Sequence, residues 1–176
     1  MLYERHQAAP PPEAFEDIRL KTPNCSGRMD NLRAAILRPQ LRTLDKNCSR
    51  WNERYQRINK TLSSCNAIAL PKSHVKAVEV FSSFQFSVPD FNDEQNKLFM
   101  KRCYDLGVEL KWFGDKDPVA YTSRYESWAY VNSTTLENTD KVLHRLYDCR
   151  IPLTFSTDDC EHIAQIIVEQ TNHTLT

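Results

Sequence analysis

The sequence predicts an α/β protein: a small α/β sandwich domain of about three strands with packed helices, preceded by a long helix. Beyond residue 71, short segments that alternate apolar and polar residues are interspersed with helical segments, a pattern typical of a sheet covered by helices. Upstream, apolar residues at heptad spacing predict one long amphipathic helix. The chain has only three glycines among 176 residues, which excludes the glycine-rich phosphate loops of Rossmann and P-loop proteins.

The N-terminal part divides into two predicted segments. Residues 1–27 read as an extended or loop segment, because a triple proline at 10–12 is stiff and a turn follows at 23–27. Residues 28–66 are predicted to form a long arm helix, which Pro39 kinks or splits in two. Its apolar stripe comprises Leu37, Leu41, Leu44, Cys48, Trp51, Tyr55, Ile58 and Leu62. The stripe fits either a helix docked on its own domain or an arm that also packs on a partner subunit.

Residues 75–170 are predicted to form the small α/β domain. Alternation over 78–88 predicts one long strand or two short ones, and 108–112 and 151–155 predict two more. Asn92 and Gln95 have the spacing of a capping box that opens a helix ending at Leu106, with Gly107 as its C-terminal cap. Further helices are expected to begin near residues 139–140 and 156–159, and residues 171–176 to be a frayed tail.

Composition excludes several classes of function. The chain has 23 basic and 23 acidic residues and a formal net charge of +0, which argues against binding nucleic acid. No apolar run reaches the length of a membrane span, and the first residues contain no apolar signal segment, so a cytoplasmic location is expected. The six cysteines lack metal-ligand spacing, so we expect reduced, mostly buried thiols and no metal site.

The first candidate site lies at the start of the arm helix. Asn24, Ser26 and Arg28 stand where unpaired backbone N–H groups and the helix dipole favour an anion. The alternative is an ordinary capped helix start.

The second candidate site lies where the strand over 108–112 runs into a loop rich in basic and aromatic residues. Lys111, Tyr121 and Arg124 are the candidates, because strand ends that feed long loops are common binding sites and arginine binds carboxylates in a bidentate manner. The alternative is a surface loop with cation–π packing.

A family resemblance rests on these same segments. The run Arg28-Met29-Asp30-Asn31-Leu32-Arg33-Ala34-Ala35-Ile36, followed by Gln40-Leu41 and Leu44-Asp45, resembles the "RM-x-x-L-x-A-A-I … QL … LD" helix of the DegT/StrS-type (DegT/DnrJ family) pyridoxal-phosphate-dependent sugar aminotransferases. Residues 51–55, 107–113 and 150–155 resemble later parts of the same family in the right order. The resemblance covers residues 2–169 and concerns the C-terminal portion of these enzymes only.

The resemblance implies a fold, a reaction and a cofactor. The fold would be the C-terminal domain of fold-type-I aminotransferases, which bind pyridoxal phosphate and work as dimers with shared active sites. The reaction would transfer an amino group from glutamate or glutamine to a keto-sugar or similar small molecule. Asn24 or Ser26, with Arg28, would contact the cofactor phosphate of the neighbouring subunit, since Ser26 has the family's usual spacing from Arg28 and Asn24 is the matching residue type. Lys111, Tyr121 and Arg124 would face the substrate.

The resemblance also implies what the chain lacks. The Schiff-base lysine of the family belongs to a large domain upstream of the matching segments, so no catalytic residue is assigned here. The chain is therefore expected to bind the cofactor only within the complete enzyme, together with a missing large domain or partner subunit. A non-catalytic binding or dimerisation module that retains only the fold is the alternative.

Overall fold

The computed structural model describes residues 29–116, 125–127, 132 and 134–176. It has a mixed α/β fold with a three-stranded antiparallel sheet and packed helices, which confirms the predicted fold class. The predicted N-terminal segment 1–27 lies outside the described residues. Among the described residues, no helix combines the length and apolarity that crossing a bilayer requires. In chain order the elements are α1 (Asn31–Leu41), α2 (Leu44–Leu62), β1 (Ser83–Ser87), α3 (Asp93–Asp105), β2 (Lys111–Trp112), a 3₁₀ turn (Tyr125–Ser127), α4 (Glu137–Leu143), β3 (Leu146–Arg150) and α5 (Thr157–Leu175).

The arm predicted over 28–66 is split into two helices, which is one of the two outcomes expected from Pro39. α1 begins at Asn31, where the carboxylate of Asp30 accepts a hydrogen bond from the N–H of Arg33 at 2.8 Å. Pro39 lies inside α1, and the interruption follows it at residues 42–43. There the N–H groups of Arg42 and Thr43 bond to carbonyls three residues back, which tightens the turn.

The sheet has the strand order β1-β3-β2, so β3 is central and pairs antiparallel with both neighbours. One face is apolar and packs into a single core with side chains of α2, α3 and α5. This face carries Phe84, Phe86, Trp112, Tyr147 and Cys149, all buried. The opposite face carries the alternating polar residues, as period-two side-chain alternation requires.

The predicted third strand over 151–155 is wrong, and the strand occupies residues 146–150 instead. Residues 151–155 form a loop because helix α2 takes their carbonyl groups. The indole N–H of Trp51 donates to the carbonyl of Ile151 at 2.9 Å, and Arg54 Nε donates to that of Phe155 at 2.7 Å. Arg50 donates to the carbonyl of Leu153 at 3.0 Å. Carbonyls bound in this way are not available for a strand ladder.

The predicted strand over 78–88 is shorter than expected for a related reason. Only Ser83–Ser87 pairs with a neighbouring strand, while Val78 and Val80 are exposed. The side-chain amide of Asn52 on α2 binds the backbone on both sides of Val80: it donates to the carbonyl of Glu79 and accepts from the N–H of Phe81. The ring of Tyr55 stacks on that of Phe81 with centroids 3.7 Å apart.

Helix α3 follows the sequence prediction closely. Asn92 and Gln95 form the reciprocal hydrogen bonds of a capping box at its start. At its end Gly107 has a φ of +82°, the left-handed conformation that glycine adopts without a steric penalty. The N–H groups of Gly107 and Val108 bond to the carbonyls of Tyr104 and Cys103, which is the Schellman pattern.

The chain end is helical rather than frayed. α5 begins with a capping box between Ser156 and Asp159 and continues to Leu175. The predicted tail over 171–176 is wrong because Thr171 and Thr174 are buried. The carbonyls of His173 and Thr174 also accept hydrogen bonds from Arg102 and Gln95 on α3, which hold the last turn in place.

We expect replacement of Arg54 by leucine to destabilise the fold by about 2–4 kcal/mol, because the Phe155 carbonyl loses its side-chain donor and the Leu153 carbonyl loses one of two. Urea denaturation followed by circular dichroism measures the change. Arg57→Leu is the matched control on the same helix. Arg57 forms a partly exposed ion pair with Glu161, so its loss should cost about 1 kcal/mol or less. Equal losses in the two variants would contradict the role of Arg54.

The buried thiols give a second expectation. Burial raises the pKa of Cys103 to about 12 and that of Cys149 to about 12, with smaller contributions from neighbouring groups. Both thiols are therefore protonated at pH 8, and only the thiolate is nucleophilic. We expect iodoacetamide at pH 8 to modify the half-buried Cys48 and to leave Cys103 and Cys149 intact, as read by peptide mass spectrometry. Modification of all three at equal rates in the folded protein would show that the core opens readily.

Candidate functional site

A row of three polar side chains crosses the outer face of the sheet. Register places Lys111 on β2 directly opposite Asp148 on β3, and Gln85 on β1 opposite Asp148 from the other side. Gln85 Nε2 lies 3.5 Å from Asp148 Oδ1. Side chains directly opposite each other in an antiparallel pair lie within contact distance, so Lys111 and Asp148 form a cross-strand pair of opposite charge.

Asp148 is unusual for a residue on the polar face, because its exposed fraction is only 8%. A carboxylate at this burial requires nearby donors or a cation; Gln85 supplies a donor at 3.5 Å, and the strand register places Lys111 opposite Asp148. Lys111 itself is half-buried. The row therefore places one lysine at the edge of the sheet, beside a carboxylate.

Behind this row, a buried polar network fixes β2 against the core. The indole N–H of Trp112 and the side-chain amide of Asn96 both donate to the carbonyl of His144, at 2.6 Å and 3.4 Å. The hydroxyl of Tyr147 donates to the side-chain oxygen of Asn96, and burial raises the pKa of Tyr147 above its ordinary value. The network joins α3, β2 and β3. It therefore also restrains the backbone of Lys111, which precedes Trp112 on β2.

The chain leaves β2 through a turn that requires glycine. A Cβ atom at Gly114 would lie 2.6 Å from the ring of Trp112, closer than any ordinary contact. The ring is itself held by its hydrogen bond to the His144 carbonyl. Gly114 thus lets the backbone cross directly over the indole as it departs from Lys111.

A second polar contact lies in the 3₁₀ turn. The hydroxyl of Tyr125 donates to Asp140 on α4 at 3.0 Å and accepts from the N–H of Leu136 at 3.0 Å. The Leu136 N–H lowers the pKa of Tyr125, but desolvation, the hydrogen bond to Asp140 and nearby negative charge outweigh it and raise that pKa overall. Tyr125 remains a neutral phenol at neutral pH and anchors the turn to α4.

Of the six predicted site residues, only Lys111 lies in the part of the chain that the structure describes. The predicted phosphate contacts Asn24, Ser26 and Arg28 lie outside it, as do the predicted substrate contacts Tyr121 and Arg124. Within the described region, the N–H of Arg33 in the first turn of α1 donates to the carboxylate of Asp30, so an ordinary side-chain cap lies at the start of this helix. Among the described residues, no group of three or more metal-type side chains comes together.

Sequence reasoning missed Asp148 and Tyr125. The signal for Asp148 was present, because it alternates with the buried Tyr147 and Cys149 as an outward residue of a strand should. The strand over 146–150 was missed because the alternation over 151–155 predicts a strand in its place. Tyr125 stood among several aromatic residues of one loop, and nothing in its local sequence indicates Asp140 as its partner.

Comparisons with known proteins identify a family from the sequence and similar folds among solved structures. A family model described as "DegT/DnrJ/EryC1/StrS aminotransferase family" matches residues 5–168. The fold is similar to that of the aminotransferase TlmJ from Streptoalloteichus hindustanus, with a TM-score of 0.68 and 18% identity over 82% of this chain and 36% of that chain. It is also similar to 3-amino-5-hydroxybenzoic acid (AHBA) synthase, with a TM-score of 0.65 and 16% identity over 92% of this chain and 46% of that one.

A third solved structure extends the pattern. The sugar aminotransferase CalS13 from Micromonospora echinospora has a TM-score of 0.56 and 19% identity over 73% of this chain and 32% of its own. No curated protein sequence matches the chain significantly. The chain thus spans less than half of the length of each of these three structures.

We expect Gly114→Ala to displace the Trp112 indole, because the new methyl group overlaps the ring. Overpacking of this kind costs about 1–3 kcal/mol. Tryptophan fluorescence and urea denaturation should both change. Gly107→Ala is the control: its Cβ meets open space, so the strain of its positive φ should cost roughly 1 kcal/mol and leave the fluorescence of the folded state unchanged. An unaltered Trp112 environment in Gly114→Ala would contradict the close approach.

Proposed function

Because the chain belongs to the DegT/DnrJ/EryC1/StrS aminotransferase family, we propose that it forms the C-terminal part of a pyridoxal-phosphate-dependent enzyme that aminates a keto-sugar or similar small molecule. The amino group would come from glutamate or glutamine. The observation that carries the proposal is the family match over residues 5–168, combined with a fold shared with TlmJ and AHBA synthase.

The described residues do not form a cofactor cradle by themselves. Their buried polar side chains are Arg54, Asn96, Asp148, Thr171 and Thr174, and none of these is a lysine. Arg54 and Asn96 have hydrogen-bond partners within the domain, and so does Thr171. We therefore assign no step of the reaction to these side chains. Pyridoxal phosphate would supply the electron sink of amino transfer in the complete enzyme.

The proposed role of the small domain is to bind and orient the substrate. Lys111 would provide a cation at the edge of the sheet, opposite Asp148 in the strand register. A fixed cation favours a substrate with a carboxylate, phosphate or hydroxyl group at that position. Asn24 or Ser26, with Arg28, would contact the cofactor phosphate. Tyr121 and Arg124 would contact the substrate together with Lys111.

The proposal requires a second component. The matched structures are more than twice as long as the segment that this chain covers. A lysine-bearing large domain, in the same enzyme or in a partner subunit, would carry the covalent attachment of the cofactor, and the assembled enzyme would be a homodimer. The 176-residue chain alone would then be inactive.

Co-expression with a lysine-bearing large domain of a family member tests the proposal. We expect transfer of the amino group from glutamate to a keto-sugar only when both components are present. The formation of 2-oxoglutarate from glutamate and of the amino sugar measures this transfer. The isolated chain, treated with pyridoxal phosphate and borohydride, should show no saturable, stoichiometric labelling of a single lysine by peptide mass spectrometry. Stoichiometric incorporation of pyridoxal phosphate at one lysine of the isolated chain would contradict the assignment of the covalent attachment site to the large domain. If no co-expressed large domain gives activity and the chain forms a stable self-dimer, the result would favour the alternative, a non-catalytic binding or dimerisation module.

In the assembled enzyme, we expect Lys111→Ala to lower kcat/KM for the amino acceptor by about 10-fold or more, because a cation bound to the substrate is lost. Lys116→Ala is the matched control, since Lys116 is exposed and lies beyond the turn at Gly114. Its replacement should leave kcat/KM within about 2-fold. Equal effects of the two substitutions on kcat/KM would contradict the assignment of Lys111 to the substrate site.

A further inference from the structure

Helix α4 contributes little to its own stability. All seven of its residues lie in the part of the chain that the structure describes, and none of them is buried. A helix this short is not stable without contacts to the rest of the fold. Its N-cap residue is Leu136, whose side chain makes no capping hydrogen bond, because leucine has no side-chain oxygen to accept one. The start of α4 therefore depends on a contact from elsewhere in the chain.

The hydroxyl of Tyr125 supplies that contact. It accepts a hydrogen bond from the N–H of Leu136 at 3.0 Å and donates to Oδ2 of Asp140, one turn along α4, at 3.0 Å. The first of these bonds is the one that a glutamate or glutamine side chain makes to the N-cap N–H in a capping box. Tyr125 thus caps α4 from outside the helix, and it belongs to the connection that leads from β2 to α4.

The opposite end of α4 holds strand β2. The carbonyl of its C-cap residue His144 accepts a hydrogen bond from the indole N–H of Trp112 at 2.6 Å. β2 consists of two residues, Lys111 and Trp112, at the edge of the sheet. Beyond them, the N–H of Phe113 donates to the carbonyl of Leu146 at 3.0 Å. The indole bond therefore adds a fixed point beside Lys111 that so short a strand needs.

One column of hydrogen bonds joins the two ends of α4. The carbonyl of Leu136 accepts from the N–H of Asp140 at 2.9 Å, and the carbonyl of Asp140 accepts from the N–H of His144 at 2.9 Å. Residues four apart lie above one another on a helix. The column therefore runs along α4 from the Tyr125 hydroxyl to the Trp112 indole, and bonds aligned in this way reinforce one another.

We propose that Tyr125 is a positioning residue that holds Lys111 in place through α4. By capping the helix it fixes the His144 carbonyl, which in turn fixes the Trp112 indole beside Lys111. The inference rests on the proposed function, in which Lys111 contacts the amino acceptor. Tyr125 touches neither substrate nor cofactor in this role, so its loss should weaken binding of the acceptor without slowing amino transfer to the acceptor once bound.

Hydrogen exchange of the 176-residue chain, followed by NMR, tests the link without an enzyme assay. Tyr125→Phe removes the hydroxyl and keeps the ring. We expect exchange to become about 3-fold faster or more both at the amide of His144 and at the indole N–H of Trp112. Tyr104→Phe is the matched control, because Tyr104 is an exposed tyrosine of α3, and it should leave both rates unchanged. Faster exchange at His144 alone, or at neither group, would overturn the proposal.

A rescue variant separates capping from a general loss of stability. Leu136→Asn gives α4 an N-cap side chain that accepts from its own first turn, and Leu136 is exposed and outside the core. Combined with Tyr125→Phe, it should return exchange at the Trp112 indole N–H to within about 2-fold of the parent. A double variant that exchanges as fast as Tyr125→Phe alone would overturn the capping role. The Ser87 amide, which bonds to Ala69, should exchange at the same rate in every variant; equal acceleration there would also overturn the proposal.

Kinetics of the assembled enzyme separate this inference from the proposed function. We expect Tyr125→Phe to raise KM for the amino acceptor by about 3- to 10-fold while kcat stays within about 2-fold. Tyr104→Phe should change neither. An unaltered KM in Tyr125→Phe, in an enzyme that Lys111→Ala impairs, would overturn the inference. An enzyme that Lys111→Ala does not impair would contradict the proposed substrate site, and the inference with it. If no assembled enzyme is active, the proposed function fails, and the exchange rates alone decide whether Tyr125 holds Trp112.

Discussion

The Arg54 guanidinium, at 8% exposure, is withdrawn from water, and its described hydrogen-bond partners are backbone carbonyls of Arg50, Leu153 and Phe155. A buried cation is tolerated only when its donors are matched in this way. The same bonds fix the 151–155 loop against α2. That loop follows the central strand β3, so these bonds link the position of α2 to that of the sheet.

Other residues of α2 also hold the chain segment that leads into strand β1. Asn52 binds the backbone at Glu79 and Phe81 just before β1, while Trp51 and Arg50 bind the loop after β3. β1 and β3 are adjacent strands, so α2 holds the entry to one and the exit from the other. The polar face with its Lys111–Asp148 pair is oriented by this packing, although none of its residues contacts α2 directly in a described hydrogen bond.

Features that depend on a few consecutive residues were predictable from the sequence. The capping box at Asn92, the left-handed Gly107 and the start of α5 at Ser156 are local hydrogen-bond patterns, and all three are confirmed. Residues 151–155 alternate as a strand would, yet their carbonyls bind side chains about 100 positions away. No local pattern contains that information. The heptad stripe likewise predicted a packed face but not that α1 would remain exposed. For the candidate site, Lys111 was found from its strand end, whereas Asp148 required the correct strand register.

The contacts of α2 also determine when this domain can acquire its structure during synthesis. Their partners, the loop at 151–155 and helix α5, are made about 100 residues after α2. While the ribosome is still adding residues of α5, the apolar side of α2 has no surface to pack on, and long-range closure of this kind is slow compared with helix formation. Helix α2 therefore lacks its main packing partner while roughly 100 further residues are added to the nascent chain. Chaperones that recognise such helices have their longest opportunity to bind in this interval.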